Sequence, residues 1–314
     1  LYTLFFGTQL NEANRWIRLP ILNMTFQTSD LAKLALFMLL SRQLSRKQEI
    51  IKDFKKGFLP LITPVAITCI LVAPANLSTA LLIGCTSLLL MFMGRVQIKH
   101  ILLAITVASL PIIILISVAV LTHKENKSSI NEPATITESV KSKGRIGTWI
   151  KRIQDFIYTK NDAAPYQVQQ AKIAIAKGGW IGLGPGNSQQ RNFLPHPYSD
   201  YIYAIIIEEY GVLGGVFILF IYLVFLHRCI RLFRKCPYAF GALLACGLSF
   251  SLVIQAFANM AVAVNLMPVT GVPLPLVSMG GTSILFTSIA FGIILSISRD
   301  IEEMQKTSKE NELA

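Results

Sequence analysis

The chain has 314 residues, a formal net charge of +12 at pH 7, 53% hydrophobic residues and 15% charged residues. Soluble globular domains carry about 25% charged residues. This composition, with a mean hydropathy of +0.55, therefore excludes an ordinary soluble domain and predicts a membrane protein. The basic residues are concentrated in short loops between apolar segments, which argues against a nucleic-acid partner.

Seven apolar segments have lengths close to the roughly 20 residues that a helix needs to cross a bilayer. They are residues 29–44, 58–74, 77–93, 98–121, 201–227, 238–263 and 279–298. Because a backbone in hydrocarbon must satisfy its own hydrogen bonds, each segment is predicted to be a helix. The sequence thus predicts an all-α, polytopic transmembrane helix bundle in which residues 1–314 form a single integral membrane domain.

The start of the chain indicates one more apolar helix. Residues 1–6 resemble its last turns, and the first residue is Leu1 rather than Met. We therefore expect the chain to be an N-terminally incomplete copy of a longer protein.

The distribution of Lys and Arg among the short loops predicts the orientation. Basic residues are found in three of them, 42–57, 94–100 and 227–237. With seven spans these three loops share one side of the membrane, while the loops 74–76 and 264–278 on the other side contain no Lys or Arg. The basic side is therefore predicted to be cytoplasmic, and the long 122–200 loop extracytoplasmic.

The 122–200 loop contains an amphipathic segment. Its apolar side chains recur at helical spacing, at Ile146, Trp149, Ile150, Ile153 and Ile157. Two interpretations stay open: a helix that lies on the membrane surface, and a helix packed on the bundle. A second short helix is predicted at 164–177, so the loop is expected to carry short interfacial helices.

Asp200 is the strongest candidate for a catalytic residue. It stands where the outer loop enters an apolar helix, so its carboxylate is expected to be partly desolvated, which raises a carboxyl pKa towards that of a useful general base. The alternative is a helix N-cap, a position that favours Asp.

Glu208 and Glu209 lie inside the span that follows Asp200. Ionisable residues within a membrane are costly and are usually functional or paired. Glu208 is eight residues after Asp200, close to the same helix face and about 12 Å along the axis. Both a proton relay and a structural ion pair with a neighbouring helix remain open.

Asp30 and Lys33 are three residues apart and share one helix face. Arg15 precedes them, beside Trp16. A cation near the outer surface can neutralise the phosphate of a lipid substrate. The other interpretation is an Asp30–Lys33 ion pair that lets both charges sit in the bundle, and the two roles are compatible.

Two segments are rich in glycine or proline. Residues 178–187 superficially resemble a phosphate-binding glycine loop, but the flanking strand and helix of such a motif are missing, so we expect a tight turn near the membrane surface. Residues 267–283 contain three prolines and three glycines. They predict a broken, rigid backbone lining a polar cavity, with a simple re-entrant turn as the alternative.

Four separated blocks together resemble the SEDS family (shape, elongation, division and sporulation proteins), which includes FtsW and RodA. The blocks are Arg15 and Trp16 with 27–33; Tyr166, Gln167 and Gln170; 178–188 with 199–204 and 208–211; and 268–271 with 274–283. The resemblance covers essentially the whole chain. Family members usually have ten spans, so the seven spans here correspond to the fourth to the tenth.

The resemblance implies a peptidoglycan glycosyltransferase that polymerises lipid II into β-1,4 glycan strands and releases undecaprenyl pyrophosphate. The family's essential aspartate corresponds to Asp200, which would deprotonate the 4-hydroxyl of the acceptor GlcNAc. Residues with an implied substrate-binding role are Arg15, Lys33, Asn187, Ser188, Thr270, Ser278, Gly280 and Gly281. Asp30, Glu208 and Glu209 are expected to be structural or to relay protons.

The resemblance also implies partners and a location. We expect a class B penicillin-binding protein that supplies the transpeptidase, proteins of the division or elongation complex, and membrane lipid. The site would face outward from the inner membrane of a bacterium. No dedicated metal cluster is predicted, the five cysteines lack metal-ligand spacing, and a divalent cation such as Mg²⁺ or Mn²⁺ could assist.

Some positions depart from the family pattern. The family often has Glu where Asp30 stands and Tyr where Met279 stands, and some division-type members carry Glu where Asn192 stands. His196 or Glu208 could substitute for that last carboxylate. The segments 267–270 and 278–283 favour a division-type member over an elongation-type, RodA-like one.

Two other functions compete with polymerisation. A lipid II flippase needs alternating access and no general base. A scaffold that recruits the transpeptidase needs no chemistry at all. A flippase predicts that Asp200→Asn leaves transport intact, and a scaffold predicts that Asp200→Ala still complements growth.

Overall fold

The computed structural model describes residues 8–10, 13–18, 25–128, 145–158, 165–195 and 197–313. These residues form nine α-helices: α1 Thr28–Arg46, α2 Leu59–Val72, α3 Leu77–Met93, α4 Ile98–Ser128, α5 Arg145–Tyr158, α6 Tyr166–Gly178, α7 Ile202–Lys235, α8 Ala239–Ala263 and α9 Gly281–Leu313. A π-helical turn, Phe54–Phe58, leads into α2, and a 3₁₀ turn, Gln190–Asn192, precedes α7. Each of the seven predicted spans coincides with one helix.

The helices confirm a polytopic helical membrane protein. Five described segments are long and apolar enough to cross a membrane: Phe54–Val72, Ile98–Thr122, Ile202–Lys235, Ala239–Ala263 and Ser283–Thr307. Helix α3 is apolar but has only 17 residues. Helix α1 carries the charged residues Asp30, Lys33, Arg42 and Arg46, which make it less apolar than a typical span. Five of the seven predicted spans therefore meet the criterion of length and apolarity, and the predicted count of seven is not exactly confirmed.

A small antiparallel sheet precedes α1 and was not predicted. Its strands, in the order β1–β2–β3, are Thr8–Leu10, Ala13–Arg18 and Thr25–Gln27. Trp16 pairs with Gln27, and β3 continues directly into α1. Strands of three to six residues are too short for an alternating pattern to stand out in a sequence. The predicted helix end at residues 1–6 lies outside the described residues.

Helix α8 forms the centre of the bundle. An 18-residue stretch of it is 72% buried, against 6% for α4. It packs against α1, α3, α7 and α9. The helix is rich in small residues, which allow close approach between helices in a membrane. A Cβ atom on Gly247, for example, would lie 3.0 Å from a Leu90 methyl carbon.

Helix α7 is interrupted at Gly211, where the sequence predicted one continuous helix. Gly211 has φ 71° and ψ −175°, a backbone conformation that only glycine adopts without strain. The residues before the break, 202–210, form a short helical segment that begins next to Asp200. The amphipathic segment after α4 is helical as predicted, since α5 covers all five of its apolar residues, and α6 follows close to its predicted place.

Candidate functional site

Asp200 lies half-buried in the turn that leads into α7. The N-cap of α7 is Tyr201, without a side-chain capping bond, so the N-cap interpretation of Asp200 is wrong. The Ser199 hydroxyl donates a hydrogen bond to Asp200 Oδ1 at 3.1 Å. A Cβ atom on Gly271 would lie 3.6 Å from Asp200 Oδ2. One carboxylate oxygen therefore contacts its own turn and the other faces the segment around Gly271.

The turn of Asp200 is held by the proline-rich segment between α8 and α9. Ser278 Oγ donates to the Ser199 carbonyl at 2.6 Å and accepts from the Leu274 amide at 2.7 Å. The Met279 amide donates to the Tyr198 carbonyl at 2.8 Å. These bonds replace the helical hydrogen bonds that the prolines exclude. The predicted broken backbone is thus present, and it fixes the position of Asp200.

Asn259 of α8 joins the same two segments from the bundle side. Its Nδ2 donates to the Asp200 carbonyl at 2.9 Å and to the Val272 carbonyl at 2.8 Å. The side chain is buried, where such bonds are worth most because water cannot replace them. A buried amide therefore sets the spacing between Asp200 and the Gly271 segment.

A cleft opens beside Gly271. It is small and is lined by Gln27, Asp30, Lys33, Asn76, Thr79, Leu82, Ile83, Ser251, Gln255, Gly271, Val272, Pro273 and Ser283. Its wall is formed by α1, α3 and α8 together with the proline-rich segment. Because Asp200 Oδ2 lies against Gly271, the carboxylate and the cleft are neighbours.

Lys33 is the cation of this cleft. Its Nζ lies 3.4 Å from Asp30 Oδ1 and donates to Gln255 Oε1 at 3.1 Å. Gln255 Nε2 in turn donates to the Pro273 carbonyl at 3.0 Å. The Asp30–Lys33 pair is therefore present in the cleft, and an ammonium group has three donors, so Lys33 can still bind an anion.

Glu208 is fully buried and binds a loop rather than a cation. The Ser188 hydroxyl donates to Glu208 Oε2. The amides of Gln189 and Gln190 donate to its carboxylate at 3.1 and 3.2 Å. Within the described residues Glu208 forms no ion pair. Its contacts fix the short helical segment after Asp200 to the loop that follows α6.

The glycine-rich segment 178–186 pairs with the interrupted backbone of α7. The Leu183 and Gly184 amides donate to the Glu208 and Glu209 carbonyls at 3.0 and 2.9 Å, and the Val212 amide donates to the Gly179 carbonyl at 2.9 Å. A Cβ atom at Gly182 would overlap the Glu209 carbonyl oxygen. The glycines thus permit close contact between this segment and the backbone at the break in α7. The sequence predicted only a tight turn near the membrane surface.

Arg152 of α5 reaches the proline-rich segment from the other side. Its Nη1 donates to the Val269 carbonyl at 3.0 Å. The charges of Asp200 and Arg152 both act on the hydroxyl of Tyr201, the residue before α7. Burial and the Asp200 carboxylate raise the pKa of this hydroxyl to about 12, while Arg152 acts to lower it. Arg152 and Asp200 therefore lie in one electrostatic neighbourhood.

A family model described as a cell cycle protein, covering FtsW, RodA and SpoVE, matches residues 1–303. The chain belongs to the FtsW/RodA/SpoVE family. The predicted SEDS resemblance is thereby confirmed.

Curated members of the family align over most of the chain. A probable peptidoglycan glycosyltransferase FtsW from Geobacter metallireducens is 33% identical over 294 residues, covering 93% of this chain and 71% of the relative. Stage V sporulation protein E of Bacillus subtilis is 30% identical over 297 residues, covering 93% of this chain and 73% of the relative.

Solved structures of the family share the fold. A peptidoglycan synthase complex that coordinates polymerization and crosslinking matches 96% of this chain and 77% of its own with a TM-score of 0.69 at 22% identity. RodA of Thermus thermophilus matches 95% of this chain and 73% of its own with a TM-score of 0.59 at 21% identity. At these identities the likeness concerns the fold.

The other residues expected to bind substrate in this FtsW/RodA/SpoVE chain have varied surroundings. Asn187 is exposed and donates to the Leu183 carbonyl at 3.1 Å. Thr270 is half-buried beside Gly271. Gly281 is the first residue of α9, and Gly280 directly precedes it. Arg15 lies on β2, but its side chain is outside the described part of the structure.

Ser188 and Ser278 were expected to bind substrate, but their hydroxyls form hydrogen bonds inside the protein. Both are buried, with 4% of their surface exposed. Each hydroxyl hydrogen is donated within the protein, to Glu208 and to the Ser199 carbonyl. Their geometry therefore gives them a role in positioning the loops of this family member.

Other candidate positions have less direct relations to the site. Glu209 is half-buried, and its carbonyl accepts a bond from the Gly184 amide. Asn192, where some family members carry Glu, is exposed, and His196 lies outside the described residues. Among the residues that the structure describes, no group of three or more His, Cys, Asp or Glu side chains is arranged to hold a metal ion.

Three residues of the site were missed from the sequence. Gln255 and Asn259 are four apart in the apolar segment of α8, and this spacing placed two amides on one helix face. Polar residues inside a span are a recognisable signal of function or pairing. Arg152 gave a weaker signal, because a cation on an amphipathic helix usually faces water.

Proposed function

We propose that the chain is a peptidoglycan glycosyltransferase that polymerises lipid II into β-1,4 glycan strands and releases undecaprenyl pyrophosphate. Family membership and relatives named as probable peptidoglycan glycosyltransferases, at 30–33% identity, support this activity. The observation that carries the assignment of Asp200 is its carboxylate lying beside Gly271, at the cleft that contains Lys33.

The reaction needs a base and a site for the leaving group. Asp200 takes the proton from the 4-hydroxyl of the acceptor GlcNAc. The oxygen attacks C1 of the donor MurNAc, the bond from C1 to the pyrophosphate oxygen breaks, and undecaprenyl pyrophosphate departs. The bond from Ser199 to Oδ1 helps to orient the carboxylate, whose Oδ2 faces Gly271, and a fixed orientation is a large part of general-base efficiency.

Lys33 supplies positive charge for the leaving group. Cations aimed at developing negative charge stabilise a transition state strongly in a site with little water. Asp30 and Gln255 hold the ammonium group in place without filling all its donors. A divalent cation, Mg²⁺ or Mn²⁺, would add charge at the pyrophosphate, and no step here depends on it.

Lys33→Gln should lower kcat because the amide keeps a hydrogen-bond donor but loses the charge. Loss of one electrostatic stabiliser typically costs about 10²- to 10³-fold. Steady-state release of undecaprenyl pyrophosphate measures the effect. Lys33→Arg, which keeps the charge, should retain more activity, and equal kcat for Lys33→Gln and wild type would contradict the role.

We propose that the protein lies in the inner membrane of a bacterium with Asp200 facing outward, and the basic loops and family membership support this location. We propose a class B penicillin-binding protein as partner, because the similar solved complex couples polymerization to crosslinking. The relatives named FtsW favour a role in division, with an elongation role of the RodA type as the alternative.

Polymerisation and flipping are separated by the products formed in proteoliposomes that contain the purified protein, its partner and lipid II. We expect glycan strands and one undecaprenyl pyrophosphate for each new glycosidic bond. Lipid II that crosses the bilayer and is recovered intact would instead support a flippase, and neither product nor transport would support a scaffold.

A further inference from the structure

The guanidinium of Arg152 is only partly used within the protein. It is half-buried and donates one bond, at 3.0 Å, to the neutral carbonyl of Val269. Arginine has five N–H donors. Among the described residues it forms no ion pair, although Asp155 is one turn further along α5. A partly desolvated cation without a carboxylate partner favours an anion from outside the chain.

Arg152 is close to the reacting carboxylate. It contacts Val269, and Asp200 Oδ2 faces Gly271, two residues further on. Two residues of chain span at most about 7 Å. The cation and the carboxylate therefore contact the two ends of one three-residue segment.

Helix α5 lies against α4 near Thr122, where the apolar span Ile98–Thr122 ends. The helix is amphipathic, and Gln154 Nε2 ties it to the outer part of α4 through the Ala119 carbonyl at 2.8 Å and the Thr122 hydroxyl at 3.1 Å. A helix with one apolar face at the end of a membrane span lies along the interface. Pyrophosphate groups of lipid-linked sugars occupy the same layer.

The proposed polymerase must hold two such groups at once. Donor and acceptor are both lipid-linked, so two pyrophosphates approach one carboxylate. Lys33 supplies positive charge for the pyrophosphate that lies in the cleft, and Asp30 offsets part of this charge. A second anion on the other side favours a second cation, and Arg152 is a described cation that contacts the Val269–Gly271 segment beside Asp200.

We propose that Arg152 binds the pyrophosphate of the second lipid-linked substrate, on the α5 side of Asp200. The inference rests on the proposed polymerase function. The planar guanidinium can donate two parallel hydrogen bonds to phosphate oxygens. Its bond to the Val269 carbonyl holds the guanidinium group in position.

The test compares Arg152→Gln, Arg152→Lys and the control Lys151→Gln in lipid II polymerisation. Gln keeps an N–H donor for the Val269 carbonyl but removes the charge, and Lys keeps the charge. We expect Arg152→Gln to raise KM for lipid II about 10- to 100-fold, the effect of losing a charged hydrogen bond. Arg152→Lys should recover most of the affinity, and exposed Lys151 should be neutral.

Several outcomes would overturn the inference. One is an unchanged KM in Arg152→Gln. Another is a fall in kcat alone in both Arg152 variants, which would make the residue a support for the Val269 segment. A third is an effect that vanishes when phosphatidylglycerol is left out of the vesicles, which would assign the guanidinium to a phospholipid headgroup.

Binding of undecaprenyl pyrophosphate to the reconstituted protein gives a readout that does not depend on turnover. We expect weaker binding in Arg152→Gln than in wild type and Lys151→Gln. If the wild type failed to polymerise but showed this difference, the proposed function would fail while the anion site stood. Equal binding in all three proteins would overturn the anion site alone.

Discussion

Asp200→Asn should reduce kcat for lipid II polymerisation by about 10²- to 10⁴-fold, the usual contribution of a general base. The amide has nearly the shape of the carboxylate, so the contact with Ser199 and the fold around Gly271 should persist. KM should change little, because the amide can still form a hydrogen bond with the acceptor hydroxyl. Initial rates at varied lipid II concentration measure both constants.

Asp155→Asn is the matched control, since it makes the same change on α5, where the carboxyl lies outside the cleft lining. It should retain wild-type kcat. Equal loss in both variants would indicate a general effect of charge, and full activity in Asp200→Asn would remove the general base from the mechanism.

Glu208→Ala should destabilise the protein by about 2–5 kcal/mol. The buried carboxylate accepts bonds from Ser188 and from the amides of Gln189 and Gln190. Its removal leaves these donors unpaired, at about 1–3 kcal/mol for each buried group. Activity should fall as well, because the segment 202–210 loses its attachment to the loop. Thermal unfolding in detergent measures the loss of stability.

Glu209→Ala is the control next to it in sequence. Glu209 is half-buried, and its backbone rather than its side chain supplies the bond to Gly184, so the change should stay within about 0.5 kcal/mol. A similar loss of stability in Glu208→Ala and Glu209→Ala would show that shortening any side chain here destabilises the protein. It would contradict the specific structural role of Glu208.

The positions of the long helices could be predicted because the bilayer requires a nearly continuous apolar run. The break at Gly211 could not. A single glycine in an apolar segment is compatible with a helix, and the partner that stabilises the break, residues 178–184, lies about thirty residues earlier. Only the fold brings the two backbones together.

Within the site, residue type was easier to predict than side-chain role. Asp200 and the Asp30–Lys33 pair stood out because charge at the edge of an apolar segment is costly. Ser188 and Ser278 looked equally suitable for binding substrate, yet their hydroxyls are used internally. A sequence does not indicate whether a hydroxyl faces a cleft or a neighbouring carbonyl.

The most direct test of the central claim is chemical rescue of Asp200→Ala by formate, followed as the initial rate of undecaprenyl pyrophosphate release from lipid II. If a carboxylate at this position removes the proton, the variant should be nearly inactive alone and should gain activity as formate is added. A wild-type rate of release by Asp200→Ala without formate would contradict the account.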